Sequence, residues 1–439
     1  MRILMPVSLN GADGDIHDHC EEIAVSGRKR DAEVVVATSS QPYLDRLAAR
    51  GVDGFLVDFA DLEAASEAAA RRGPWDLVHT HPFAARKFAT RFAAQHELPL
   101  VATFHGPYLD DIDTWHNQAN ALVAVTGSVA DRLRGVSGIP ADRVHVVENR
   151  LRADAMPQQQ AKHDPRALVL AVHANLTKDF DPALELLNEF IERASGEQRF
   201  GWRIELAGSG ATRPDITAQL AKACLAPGAP DVVVHGHLDA TATRELYGRA
   251  YAVVAAGRDA IDAIAVGLPA VVAQGTGTYA LSPTGDTSTL LYGTDGARVS
   301  GAAFHDHCVE IATDAEARQR HAVSGMRLTR SRFNPQALDL ALAAIHELAV
   351  AEGPRSTPQF RVERAQGAVR VIFAGDPRGS EFAFYVMQGS ERLRADWYGA
   401  NYWLDLRQEE AAAATGVRCF VKDRQGSIQQ VMVDLTPGS

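Results

Sequence analysis

The sequence predicts an α/β protein: two consecutive open sheets flanked by helices, followed by a small antiparallel β-sandwich. Three observations carry this. From residue 2 to about 350, short continuous apolar runs alternate with helix-like segments. That is the pattern of parallel strands buried on both faces and joined by right-handed helical crossovers. The alternation breaks once, at the polar, two-proline stretch MPQQQAKHDP (156–165), and then restarts. After AEGPRSTPQF (351–360) the hydrophobic period falls to two, as half-buried strands require. The expected domains are 1–155, 166–350 and 360–439.

In the first domain the expected strands are RILMPV (2–7), AEVVVAT (32–38), GFLVDF (54–59), DLVHT (76–80), PLVATF (99–104), ALVAVT (121–126) and VHVVE (144–148). Helices are expected from His19 to about Arg28, near 41–50 and over 60–72. In the second, strands are expected at 167–173, 202–210, 231–236, 251–257 and 269–275. Helices fall at 182–194, 213–225, 240–249, 259–266, 304–323 and 337–349. In the third, 361–363 and 368–373 flank a short turn at Ala365–Gly367. Strands at 382–388, 401–406, 417–422 and 428–435 follow, with the aromatic stretch ADWYGANYW (395–403) read as a loop.

The chain has 439 residues, 46% of them hydrophobic, enough for sizeable cores in two or three domains. Forty-four Lys and Arg face 55 Asp and Glu, a formal charge of −11, which argues against a nucleic-acid surface. The four cysteines, Cys20, Cys224, Cys308 and Cys419, are scattered and read as reduced thiols in a cytoplasm-like compartment. No apolar stretch is long enough to span a bilayer.

Open α/β sheets bind ligands beyond the carboxyl ends of their strands, so the loops after strands are the candidate sites. NGADGD (10–15) follows the first strand, and Gly14 opens a helix whose free amides suit an anion; on the motif alone, an ordinary glycine-rich turn is the plainer reading. His105, in TFHGPY, follows strand 99–104, where it can hydrogen-bond a sugar or exchange a proton. Lys178 follows strand 167–173 and can reach phosphate oxygens. Gly208 and Gly210 follow strand 202–210. In GRDAIDAIAVGLP (257–269), Arg258 and the first-turn amides suit phosphate. Asp262, one turn on, can accept hydrogen bonds from sugar hydroxyls, although a carboxylate satisfying the helix dipole is the plainer reading taken singly. Together Lys178, Arg258 and Asp262 point to a phosphate and a polyol. An internal echo, IHDHCEEIA (16–24) and FHDHCVEIA (304–312), invites a zinc reading. Neighbours two apart on a helix do not face each other, so one copy cannot close a tetrahedral site, and no metal is expected.

This constellation resembles the retaining GT-B glycosyltransferases of the family 4 type, over roughly residues 1–345. Gly14 and His19 before EEIA are similar to the family's first loop and helix; TFHG, with His105, is similar to its histidine–glycine pair. The run 123–150 resembles the segment closing its first domain. In the second domain Lys178 matches a donor-binding lysine, and His173 stands where the family has arginine. RDAIDAIAVGLPAVV (258–272) resembles the donor-binding helix, with Asp262 in place of the ribose-binding glutamate. The family's earlier Glu and Gly–aromatic–Gly loop are replaced by Ala255–Arg258.

The resemblance implies two Rossmann-like domains in GT-B arrangement, facing one another across a hinge near residue 160. A nucleotide-diphosphate sugar would be bound on the second and an acceptor on the first. His105, Lys178 and Arg258 would act catalytically; Gly14, His173, Gly208, Gly210 and Asp262 would bind donor, and His19 would lie on the acceptor side. No cofactor or metal is implied. Expected partners are a nucleotide sugar and a glycan or lipid-linked glycan, with the β domain serving oligomerisation or polymer binding. The expected location is cytoplasmic, with the inner membrane face as a docking surface. A sugar-nucleotide epimerase of similar fold and a noncatalytic glycan-binding scaffold are the rival readings.

Overall fold

The structure is a computed structural model. It describes residues 1–11, 14–106, 108–112, 115–136, 139–151, 168–173, 181–197, 199–208, 213–238, 240–255, 257–274, 277–280, 299–355, 360–365, 368–374, 377–422 and 428–435. The chain forms two compact units: Met1–Val147 with Ala341–Ser439, and Glu148–Leu340.

The first unit begins with β1 (Arg2–Val7), α1 (Asp15–Arg28), β2 (Glu33–Thr38), α2 (Gln41–Ala49), β3 (Gly54–Leu56), α3 (Leu62–Arg72), β4 (Leu77–Thr80), α4 (Ala84–Gln95), β5 (Leu100–Phe104), β6 (Ala121–Ala124), α5 (Gly127–Arg134) and β7 (Val144–Val146). These strands make one sheet in the order β3-β2-β1-β4-β5-β6-β7, parallel at every pairing. Both faces are covered, which is why Val34–Ala37 and Leu100–Ala102 are buried without alternation. Chain order reverses between β1 and β4, the topological switch point. Helix α1 starts four residues before the expected His19: Gly14 at φ 148 turns the chain into it, and Asp15 and Asp18 favour its positive end. Helix α4 was not foreseen.

The second unit holds β8 (Leu168–His173), α6 (Asp181–Ser195), β9 (Trp202–Ala207), α7 (Arg213–Ala223), β10 (Asp231–Val234), α8 (Ala240–Arg249), β11 (Ala252–Ala255), α9 (Gly257–Ala265), β12 (Ala270–Gln274), β13 (Gly277–Ala280), α10 (Gly301–Thr313) and α11 (Ala315–Arg332). Its sheet runs β10-β9-β8-β11-β12-β13, with β13 the antiparallel edge and the switch point between β8 and β11. The single helix expected at 304–323 is two: the Asp314 carboxylate accepts from the amides of Glu316 (2.8 Å) and Ala317 (3.0 Å), capping a new helix. The FHDHC echo opens α10, where Phe304 and Cys308 join the core beside Phe190.

Helix α12 (Pro335–Glu352) carries the chain back to the first unit. There β14 (Phe360–Ala365), β15 (Ala368–Phe373), β16 (Glu381–Gln388), β17 (Glu391–Gly399), β18 (Trp403–Leu406), α13 (Gln408–Ala413), β19 (Gly416–Lys422) and β20 (Ile428–Asp434) follow. They form two antiparallel sheets, β14-β15-β18 and β17-β16-β19-β20. Val371 and Leu404 of one sheet share a core with Phe384, Val386 and Val417 of the other, a sandwich. The stretch read as a loop at 395–403 lies largely in β17 and β18. The aromatic spacing disguised a strand whose pairing with β16 shifts register twice. The β region is tied to the first sheet's unit: Asn117 Nδ2 donates to the Gln430 carbonyl (2.9 Å). Asn120 Nδ2 does the same to the carbonyl of Gly353 (2.9 Å).

The cysteines are unpaired. Among the described residues no helix is long and apolar enough to cross a membrane.

Candidate functional site

In the first unit the carboxyl edge at the switch point gathers histidines. His79 lies on β4, His81 just after it, His105 just after β5 and His19 on α1. Residues two apart along an extended chain share a face, so the His79 and His81 rings lie side by side, centroids 4.8 Å apart and tilted by 36°. His81 Nδ1 lies 2.9 Å from His105 Nε2, and His19 meets the His105 ring edge-on at 4.7 Å. His346 of α12 extends the row, its Nε2 3.1 Å from His79 Nδ1. Burial pushes His105 down to about 3, with the Arg86 charge adding to it. Burial also holds His79 and His81 well below the ordinary histidine range. At neutral pH these rings are uncharged, so His105 acts as a hydrogen-bonding group and not as a proton-carrying imidazolium.

Beside them Arg86 donates to Asp110 Oδ2 (2.8 Å) and lies over the Phe104 ring. Desolvation lowers it to about 10 against the pull of Asp110. The same carboxylate accepts from the Phe83 amide (3.1 Å). Phe83 holds a positive φ of 69°, a strained conformation for a bulky residue, and its ring is 51% exposed. Tyr108, in the loop after β5, is 71% exposed. Two exposed aromatic residues therefore lie on the loops that follow β4 and β5.

In the second unit His173 ends β8. Tyr247 on α8 donates to the Asp259 carbonyl (3.1 Å), so its hydroxyl oxygen accepts from His173 Nδ1, also at 3.1 Å. This leaves His173 Nε2 as the nitrogen not engaged by Tyr247. Helix α9 begins at Gly257, two residues beyond the end of β11. Arg258 and Asp262 sit one turn apart on it. Both are buried, Arg258 to 1% exposure and Asp262 to 4%, so in this structure they face protein more than solvent. Gly208, just beyond β9, holds φ 133°, which glycine alone adopts readily.

The structure thus brings His19 and His105 together and places His173, Arg258 and Asp262 about one switch point. Gly14 starts α1. Lys178 and Gly210 lie outside the described residues. Sequence reasoning missed His79, His81, Arg86, Phe83 and Tyr108. The signal for the first two was available: a His-x-His pair at the end of an apolar strand, in the loop position that drew attention to His105.

Residues 17–151 match Glycosyltransferase Family 4. No curated protein matches the chain in sequence. Among solved structures, a glycosyltransferase from Rickettsia africae ESF-5 is similar at TM-score 0.62 and 15% identity, over 80% of this chain and 98% of that one. The Anabaena protein HepE, solved with UDP and glucose, gives 0.62 at 14% identity over 79% and 100%. Sucrose-phosphate synthase from Thermosynechococcus elongatus gives 0.57 at 14% over 80% and 99%. At such identities the likeness is one of fold.

Proposed function

We propose that this chain, a family 4 glycosyltransferase of GT-B-type fold with an extra C-terminal β region, moves a sugar from a nucleotide-diphosphate donor to a glycan or glycolipid acceptor. Transfer proceeds with retention, in the synthesis of a bacterial-type surface polysaccharide or glycoconjugate. The carrying observation is that both sheets present polar residues at their topological switch points, where open α/β sheets bind ligands. The HepE structure with UDP and glucose supports a nucleotide sugar as the donor class.

Residues 166–350 take the donor. Lys178, Arg258 and the first amides of α9 offset the charge that builds on the leaving diphosphate, His173 adds a hydrogen bond, and Asp262 accepts from the ribose. Gly208 and Gly210 let the backbone approach the donor closely, and Gly14 does so from the first domain. Residues 1–155 take the acceptor: His19 and neutral His105 orient its hydroxyl or the transferred sugar, and Phe83 and Tyr108 offer faces for a sugar ring. The β region at 360–439 is accessory, for polymer binding or self-association. No protein nucleophile is assigned.

The test is calorimetry with UDP and UDP-glucose, followed by a glycan-dependent assay of diphosphate release. Lys178→Ala should lower nucleotide affinity at least about tenfold, the cost of roughly one charged hydrogen bond, while leaving the melting temperature nearly unchanged. Unchanged affinity removes Lys178 from the site. Conversion of donor without acceptor would mark an epimerase. The burial of Arg258 and Asp262 favours a noncatalytic scaffold as the second reading, and glycan binding without any donor turnover would establish it.

A further inference from the structure

Three imidazoles from three separate elements converge at the carboxyl edge of the first sheet. Each of His19, His81 and His105 offers a nitrogen, and these atoms all lie within 4.8 Å of one another. We propose that this cluster binds a divalent transition-metal ion of the zinc class through His19, His81 and His105, with a fourth position left for an oxygen ligand. The His17–Cys20 run alone could not close such a site; the fold completes it from β4 and β5.

The donor set selects the ion. Three imidazole nitrogens suit zinc, cobalt, nickel or copper, whereas magnesium and calcium require oxygen ligands. Three protein ligands with one open position is the composition of reactive zinc sites. Zinc–nitrogen bonds of about 2.0–2.1 Å at tetrahedral angles set ligand nitrogens roughly 3.4 Å apart. The three nitrogens lie within 4.8 Å of one another, so closing the triad draws them together by about 1.4 Å at most.

A second observation points the same way. His81 Nε2 is buried with no hydrogen-bond partner among the described residues, an unsatisfied polar atom of the kind that an ion or its bound water explains. The surroundings are also prepared. His79 Nε2 bonds Thr103 Oγ1 at 2.8 Å and its ring lies against His81, restraining it. The neighbouring Arg86 charge is opposed by Asp110, which limits its repulsion of a dication. An ion here would offer a Lewis-acidic position to a hydroxyl or water.

The experiment uses the full chain, stripped with chelator and titrated with cobalt(II). Calorimetry and visible absorption follow binding, and zinc then displaces the cobalt. The expected result is one saturable equivalent with intense four-coordinate d–d bands. His19→Gln and His105→Gln should each weaken it at least about tenfold, the lower end of what losing even an outer-shell partner costs. His307→Gln, at an exposed histidine in the other unit, should leave it unchanged. X-ray absorption at the cobalt edge of the wild-type protein counts imidazoles independently of any variant, and three are expected. Absence of a saturable equivalent, fewer than three imidazoles, or undiminished affinity in both folded variants overturns the proposal. The nucleotide titration is a separate readout, so loss of the metal site leaves the transferase reading standing.

Discussion

Four buried histidines of the first unit, His79, His81, His105 and His346, make a specific demand on pH, because burial lowers all four. An unfolded chain protonates each near 6.5. The folded chain resists protonation until about 3 at His105 and about 4 at His346. Between those values the unfolded state binds more protons, so stability rises with pH and falls on acidification below about 6.5. Each such group contributes at most about 1.4 kcal/mol per pH unit in that window. Urea midpoints of the metal-free protein should therefore drop between pH 7 and 5, and His105→Gln should flatten the slope. A slope identical to wild type would mean the ring is not held neutral. Phe83 tests strain against function. Phe83→Gly removes a side chain that the φ of 69° penalises, so the fold should gain about 1 kcal/mol while the acceptor KM rises severalfold. A KM that does not move takes Phe83 out of the acceptor site.

Elements were legible where pattern and chemistry agree. Val34–Val36 and Leu168–Val172 read as buried parallel strands, and both are. The Asp314 break in 304–323 was missed because alanine-rich periodicity runs through it, and only the capping bonds reveal the new start. Strand β17 was hidden by aromatic residues around Gly399. The candidate site was half readable: strand-end loops follow from the alternation, but convergence of His19, His81 and His105 depends on strand order, which no spacing encodes. The packing of α10 on α6 was equally invisible. Gly301 sits where a Cβ would overlap the Leu186 carbonyl oxygen and approach the Phe190 amide to 2.6 Å. Gly301→Ala should cost about 1–3 kcal/mol or more by forcing the helices apart. Thermal unfolding at wild-type temperature would show that the pair yields easily.

At the scale of the whole molecule, the core of the β region, among the described residues, is built from its own residues, Val369 through Leu435. A fragment of residues 354–439 should therefore fold, though marginally, as chains well under 100 residues do. Circular dichroism should show β structure with a cooperative melt. A disordered fragment would mean that its attachment through Asn117 and Gln430 is required for folding. The two-sheet plan itself was foreseen because each sheet repeats one strand–helix rule. The return of the C-terminal stretch to the first unit was not, since sequence distance conceals it.

That return has a bearing on synthesis. The chain leaves the first unit after Val147 and re-enters it at Ala341, so the ribosome must finish the contiguous Glu148–Leu340 unit before His346 exists to sit beside His79. A nascent chain stalled short of Ala341 would hold one completed unit and one still awaiting the end of α12 and the β region. Chaperone engagement during translation should then concentrate on the segment made first.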